Sequence, residues 1–501
     1  MNKSKTIIKD SIFFSGSTYF SYIFKIVNSL VIRKFLTPTF MGLLSELMLV
    51  NEYLKSHHLG ALNALDREIP YYRGKEDSAK VEEVKKTGSN FSFASAFIAG
   101  IAIFIVSLYL RIINFDKDFI NGLFLVALLI VVEVMTSYYR VILRTNNKFT
   151  FLSKFNIYFA IVETVSTILL IILYGYKGVL LALIFTGIIA AFYLFNFSGY
   201  KVKFGFRFKF KEIARLLKIG FPLHLYELIR TLFLTVDRLI IIILLGRASL
   251  GLYSIATMAY NFLTPLPRGV YNVLFPKFYE AYGKAEGIEK VKHYLIKPTM
   301  IFAYLFPLLI GMGSISLPLL VEYILPRYKE GLLPAQIFIF STFFYSLIFM
   351  WQSFLIALYK QMKMVQFNLL AVIICITLNY LFVKAFNMGL IGVALGTTLS
   401  HFILSTMLIS YVFSFYTRDI KNHLILFFKL YLPILWVLGI LCIFRFFFSY
   451  RYISLSGDIF RALIFNFVLV LCCMPLLYYV NKRTEILTLT LDMIRRPKMK
   501  K

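Results

Sequence analysis

Apolar runs of about 20 residues recur from one end of the chain to the other, separated by short polar turns. Fourteen such segments can be read, near 11–33, 38–58, 89–113, 119–143, 151–174, 178–198, 217–245, 249–275, 296–320, 332–358, 365–386, 389–413, 427–448 and 459–480. The period-two alternation of an outer-membrane barrel is absent. Open sheets are excluded at bilayer depth, where unpaired backbone groups find no water. The pattern therefore predicts an all-α polytopic membrane protein with about fourteen transmembrane helices. Lys and Arg concentrate in the alternate loops 67–86, 144–154, 201–218, 277–297, 360–363 and 418–429 and in the tail 482–501, which places both termini in the cytoplasm. The first residues carry Lys3, Lys5 and Lys9 but no small-residue cleavage site, so no cleavable signal is expected.

An internal repeat divides the chain. MGLLS at Met41–Ser45 has a counterpart in LGLYS at Leu250–Ser254, and the charged segment Ile69–Lys86 in Phe275–His293. Ile142–Phe151 then pairs with Ala357–Gln366, and Tyr176–Leu183 with Leu390–Thr397, at an offset that stays near roughly 210 residues. The expected organisation is a six-helix lobe at 1–200, a basic cytoplasmic linker at 201–216 and a second six-helix lobe at 217–413. Two additional helices follow at 414–481, then a basic cytoplasmic tail at 482–501. The two lobes are expected to be pseudo-symmetric.

Polar positions within the spans follow the helical period. In the first span Ser11, Ser15, Thr18, Tyr22, Lys25, Ser29 and Arg33 recur at three and four, giving one wet stripe with Lys25 near mid-depth. The seventh, FPLHLYELIRTLFLTVDRLI, carries Glu227, Arg230, Asp237 and Arg238, which share a sector of about 100° if the segment is one helix. Ionised groups facing lipid cost several kcal/mol, so these side chains point to a protein interior or a wet cavity. Tyr253, Thr257, Tyr260, Thr264 and Arg268 share a face of the eighth span, where Pro265 and Pro267 favour a kink. Milder stripes hold Glu46, Tyr53 and His57; Asn156, Glu163 and Thr167; and Thr397, His401 and Ser405. Two readings stay open at this point: the wall of a translocation path, or internal ion pairs that tie helices together, with Asp237 neutralising Arg230.

Composition narrows the chemistry. The 501 residues are 59% hydrophobic and carry a net charge of +29, which in a soluble protein would suggest nucleic acid. Here the charge lies in loops that alternate with spans, as topology requires, so no nucleic-acid partner is expected. No Walker loop, Gly-x-Ser-x-Gly elbow or His-Glu-x-x-His motif occurs, and Cys375, Cys442, Cys472 and Cys473 have no metal-site spacing. No enzyme, metal site or cofactor is expected. The mid-membrane carboxylates suit coupling to an ion such as H+ or Na+.

The stretches SGSTYFSYIFKIVNSLVIRKFLTP, REIPYYRGK, VDRLII…LGRASLGLYSIA and FPKFYEAYGK, in that order and spacing, resemble the polysaccharide flippases of the multidrug/oligosaccharidyl-lipid/polysaccharide exporter superfamily, the Wzx-like transporters of O-antigen and capsule pathways. The resemblance implies two six-helix bundles around a central cavity, alternating access, and a location in the inner (cytoplasmic) membrane. It implies as cargo an undecaprenyl-diphosphate-linked glycan, and as partners the lipid bilayer and the glycan polymerase and glycosyltransferases of the pathway. Carried over residue by residue, substrate binding falls to Lys25, Arg33, Arg230, Arg238 and Arg268 with Tyr22 and Tyr260, and ion coupling to Asp237, Glu227, Glu46 and Glu163. A basic leading span favours an anionic lipid head over a cationic drug. The alternatives are a lipid II-type flippase and a cation-coupled drug antiporter of the same superfamily, a membrane-embedded glycan polymerase or ligase, and a non-transporting scaffold.

Overall fold

A computed structural model describes residues 3–200, 209–267, 287–358, 360–447 and 454–484. Among these residues the chain is helical throughout, with no strand. The helices are α1 (Lys3–Phe35), α2 (Pro38–Leu54), α3 (Ala61–Gly74), α4 (Ser78–Ile112), α5 (Lys117–Thr145), α6 (Phe149–Tyr174), α7 (Tyr176–Phe197), α8 (Phe210–Phe233), α9 (Val236–Leu244) and α10 (Arg247–Leu263). Beyond them come α11 (Gly287–Tyr323), α12 (Leu332–Phe338), α13 (Ser341–Ala357), α14 (Gln361–Tyr380), α15 (Gly389–Phe413), α16 (Ile420–Phe447) and α17 (Leu455–Thr484). Each of the fourteen expected spans falls on helix as far as the described residues reach, so the chain is an all-α polytopic membrane protein.

Local chemistry sets the helix starts. Thr37 caps α2 ahead of Pro38, Asp77 caps α4 by accepting the Lys80 amide at 2.8 Å, and Asp116 caps α5 by accepting that of Asp118 at 2.9 Å. Nine helices are long and apolar enough to cross a bilayer among the described residues. The other expected spans are charged or broken. After α2 the chain makes a 3₁₀ turn, Lys55–His58, and passes through left-handed backbone at Leu59 (φ 46°) and Gly60 (φ 94°) before α3 begins. The seventh span breaks at Leu234–Thr235, where amide bonds tighten to i−3, as from Thr235 to Leu232 O at 3.1 Å. The tenth breaks between Phe338 and Ser341.

The chain divides into two compact units, Met1–Ser254 and Ile255–Lys501. In the first, α1 packs chiefly on α6, α4 on α5, and α3 on α4 and α8. Its core joins Leu65 and Ile69 of α3 to Tyr139 and Ile142 of α5, Phe155 of α6 and Leu194 of α7. In the second unit α11 carries α16 and α17 through Ile315, Val437, Phe465 and Leu469. The remaining surface of α16 and α17 exposes large apolar side chains such as Phe428, Leu435, Phe460 and Phe467, as lipid contact demands. The expected linker lies partly, and the tail mostly, outside the described residues, as does the repeat segment that starts at Phe275.

Candidate translocation site

α1 exposes two opposite faces. Phe20, Ile23 and Val27 present an apolar surface, 42%, 57% and 42% exposed. Roughly 160° away stand Tyr22, Lys25 and Ser29, with Lys25 exposed and the other two half-buried. Between them Ser17, Ser21 and Asn28 are buried, and Thr164 of α6 donates to the Phe24 carbonyl at 3.4 Å. A helix with an exposed apolar face can meet lipid there. Its exposed cationic face, turned away from that surface, meets something wetter.

Lys25 Nζ lies 5.5 Å from the Tyr22 ring centre and within electrostatic reach of Glu163 on α6. Glu163 is a hub that also senses Arg140 and Glu133 of α5 and Lys55 of the 3₁₀ turn. Arg140 donates to Asn156 Oδ1 at 3.0 Å and sits 5.1 Å above the Phe155 ring. Glu133 accepts Asn51 Nδ2 at 3.3 Å and lies 3.8 Å from Lys55 Nζ, which in turn reaches Glu52 at 3.4 Å. Five elements thus supply three bases and three acids to one polar tract. Of these the sequence reading named only Lys25 and Glu163. Glu133, Ser137 and Arg140 recur at four and three along α5, the same periodic signal that marked α1.

The other expected site residues are placed as follows. Arg33 is 6% exposed and clasps α1 to α10, donating from Nε to Ser254 Oγ at 3.1 Å and from Nη2 to Ser254 O at 2.8 Å. Its Nη1 serves Ser29 O at 2.8 Å. Glu46 accepts Arg247 Nε at 2.9 Å, and the same guanidinium also pairs with Asp116. That pairing holds Asp116 below the ordinary carboxylate range although burial opposes it, and the Asp118 and Phe119 amides add to it. Beneath this cluster Gly42 and Gly251, equivalent positions of the repeat, touch backbone to backbone. A Cβ on Gly251 would stand 1.7 Å from Pro38 O, and one on Gly42 1.9 Å from Arg247 O.

The break in the seventh span removes Glu227 and Arg230 from the helix that carries Asp237 and Arg238, so the expected single sector does not form. Asp237, 2% exposed in the first turn of α9, accepts Tyr253 Oη at 3.0 Å and the Arg238 amide at 2.8 Å. Arg238 Nε approaches it at 4.0 Å while Nη2 donates to Leu234 O at 3.2 Å. Thr235 holds the break through the Thr231 carbonyl at 2.9 Å and the Tyr53 hydroxyl at 2.5 Å. Glu227 is exposed and accepts Asn63 Nδ2 of α3 at 2.9 Å, and Arg230 is half-buried. In the second unit Tyr260 is buried in an aromatic cluster, 5.1 Å from Phe338 and 6.2 Å from His401. Arg268 lies outside the described residues.

At the predicted inner end of the first unit a second ion network joins three helices. Arg215 of α8 pairs with Glu212 and with buried Glu68 of α3, while Lys80 of α4 links Glu83 to Glu212 and Lys209 reaches Glu83. Hydrogen bonds from Arg215 hold the Glu212 carboxyl below its ordinary range, and Glu212 in turn raises Arg215. Beside it Asp66 bridges to Arg144, yet burial keeps its carboxyl above the usual range. These residues border an open cleft of about 560 Å³ lined also by Pro70, Arg73, Gly74, Thr145 and Asn147.

Residues 76–327, half of the chain, match the family described as polysaccharide biosynthesis protein. The chain belongs to that family. Its fold is similar to that of solved transporters of the multidrug/oligosaccharidyl-lipid/polysaccharide exporter superfamily. The fold of this polysaccharide biosynthesis protein is similar to that of the lipid II flippase MurJ in its inward closed conformation, at 17% identity and a TM-score of 0.66, over 92% of this chain and 98% of that one. A superfamily transporter from Pyrococcus furiosus Vc1, described as having a binding pocket of reverse polarity, matches at 15% identity and a TM-score of 0.58, over 82% and 95%. An inward-facing multidrug resistance transporter of the superfamily matches at 14% and 0.57, over 80% and 96%. Comparison with curated proteins finds no match.

Proposed function

We propose that this protein flips an undecaprenyl-diphosphate-linked oligosaccharide, of the O-antigen or capsule type, from the inner to the outer leaflet of the cytoplasmic membrane by alternating access. One observation carries the reading: the exposed cationic face of α1, opposite its apolar face and continuous with Arg140 and Glu163. An unpaired dianion in hydrocarbon is prohibitive in energy, so a diphosphate crossing needs cations that travel with the path. Lys25 and Arg140 supply charge-assisted donors at that depth, and the prenyl tail can remain in lipid. Glu163 and Glu133 balance them while the site is empty. Both termini are cytoplasmic on this reading, and the glycosyltransferases and polymerase of the pathway act before and after it.

The acids in the same tract favour, as a second reading, a cation-coupled drug antiporter. The name of the Pyrococcus furiosus relative ties pocket polarity to a difference in function for that protein, and polarity is what separates the two readings here. In proteoliposomes that hold a labelled prenyl-diphosphate glycan, replacing Lys25 and Arg140 together by Gln should slow transport at least tenfold. Each lost charge-assisted contact is worth about 1.5–3 kcal/mol. An unchanged rate at unchanged protein level refutes the cationic path, and resistance to cationic dyes on expression selects the antiporter.

A further inference from the structure

Three imidazoles meet where α2 gives way to α3. His57 and His58 belong to the 3₁₀ turn, and His224 arrives from α8. The His58 ring centre is 5.2 Å from that of His224 and 5.6 Å from that of His57. His57 Nδ1 lies 2.9 Å from Ser95 Oγ of α4, and the Gly60 amide donates to His58 Nδ1 at 3.1 Å. That acceptor role leaves the ring of His58 neutral, with its proton on Nε2. His224 is 4% exposed, and its buried Nδ1 has no hydrogen-bond partner.

The charged groups that face this cluster are few. Glu227, one turn along α8, lies within electrostatic reach of His224. From α3 comes Asp66, which acts on Glu227 and is itself bridged to Arg144 of α5. The packing beneath has no slack: a Cβ on Gly60 would fall 2.5 Å from the Gly220 carbonyl, and one on Gly220 2.0 Å from the Gly60 oxygen. The turn thus lies directly on the α8 backbone.

We propose that His57, His58 and His224, with Glu227 as counter-charge, form the proton-binding site that couples transport to a proton gradient. This rests on the transporter reading above. A proton from water converts His224, whose Nδ1 has no partner, to the imidazolium, which is matched by Glu227 three residues on. A second proton can reach His58 Nδ1 only by displacing the Gly60 amide. Two adjacent imidazolium rings then repel, and the bond that anchors the turn is lost. Both effects drive the α2–α3 turn away from α8, and release of the protons to water restores the contact.

The test uses the full chain in proteoliposomes, with the membrane potential clamped and the rate of glycan transport measured with and without a pH gradient. The gradient should speed the natural protein several-fold and leave a His57→Gln/His58→Gln/His224→Gln variant unaffected. A variant that still responds overturns the proposal. So does a natural protein that transports glycan without responding, although the flippase reading then stands. A second readout needs no cargo: spin labels at Tyr71→Cys and Phe210→Cys, in a background whose four cysteines are Ser. The α3–α8 distance should widen by several ångström between pH 8 and pH 4 in the natural trio and stay fixed in the Gln variant. A distance that does not move with pH overturns the site whether or not glycan is carried. If the triple variant does not purify as a single species, His224→Asn alone carries both measurements.

Discussion

Replacing Arg33 by lysine separates a clasp from a lumen cation. The guanidinium spans two acceptor sets, Ser29 O on its own helix and both oxygens of Ser254 on α10, 221 residues away. A lysine keeps the charge but offers a single nitrogen, so it can serve one side only. Two charge-assisted bonds to Ser254 are lost, each worth about 1.5–3 kcal/mol, and partial rescue by Ser29 leaves a net cost of about 3 kcal/mol. For a unit of this size the cost corresponds to a fall in melting temperature on the order of 5–10 °C. Thermal unfolding in detergent, run at one scan rate because such unfolding is kinetically controlled, reads the effect. Transport below the melting range should survive, since charge is conserved. Full thermal stability with transport abolished would show instead that Arg33 grips cargo, and would refute the clasp.

Three further outcomes follow from the geometry. Gly251→Ala places a Cβ 1.7 Å from the Pro38 carbonyl oxygen, a backbone atom that cannot rotate aside, so it should destabilise by about 1–3 kcal/mol in the same unfolding assay. Gly16→Ala, which meets nothing within 4 Å, should be neutral or slightly stabilising. Arg215→Gln strands buried Glu68, leaves Glu212 to Lys80 alone and should cost about 2 kcal/mol, less than a fully buried pair because Arg215 is 31% exposed. Glu212 sits below its ordinary range, so its contribution is present above that range and lost as pH falls through the lowered value. The gap in melting temperature between the natural protein and Arg215→Gln should therefore be widest near pH 7 and narrow toward pH 3.

The spans were legible because lipid imposes one requirement on all of them, a run of about 20 apolar residues with every backbone group bonded internally. The stripe on α1 was legible because its polar spacing matches the helical period. What escaped was whatever depends on long-range pairing. Arg247 falls between the seventh and eighth expected spans and reads as one more outer cation, yet its partners are Glu46 and Asp116, 201 and 131 residues away. The break at Leu234–Thr235 carries no Gly or Pro to announce it. It shows in the tightened amide bonds and in the hydroxyl bonds of Thr235 to Thr231 O and Tyr53, and it separates charges that a continuous wheel would unite. The glycines Gly42 and Gly251 were visible as repeat partners, while their mutual contact was not.

The polar tract of the first unit holds Lys25, Lys55 and Arg140 against Glu52, Glu133 and Glu163, three bases to three acids. An empty site with that balance has no net charge to draw cargo in; grip depends on an exchange of partners. A diphosphate must draw Lys25 and Arg140 out of the field of Glu163, and Glu163 must attract them back for the cargo to leave. Glu163→Gln removes the competitor while keeping shape. Cargo should then bind tighter and depart more slowly, so KM and kcat for glycan transport fall together. A Gln variant whose KM rises would mean that Glu163 itself contacts the cargo or orders the cations for it, and the exchange mechanism would be wrong.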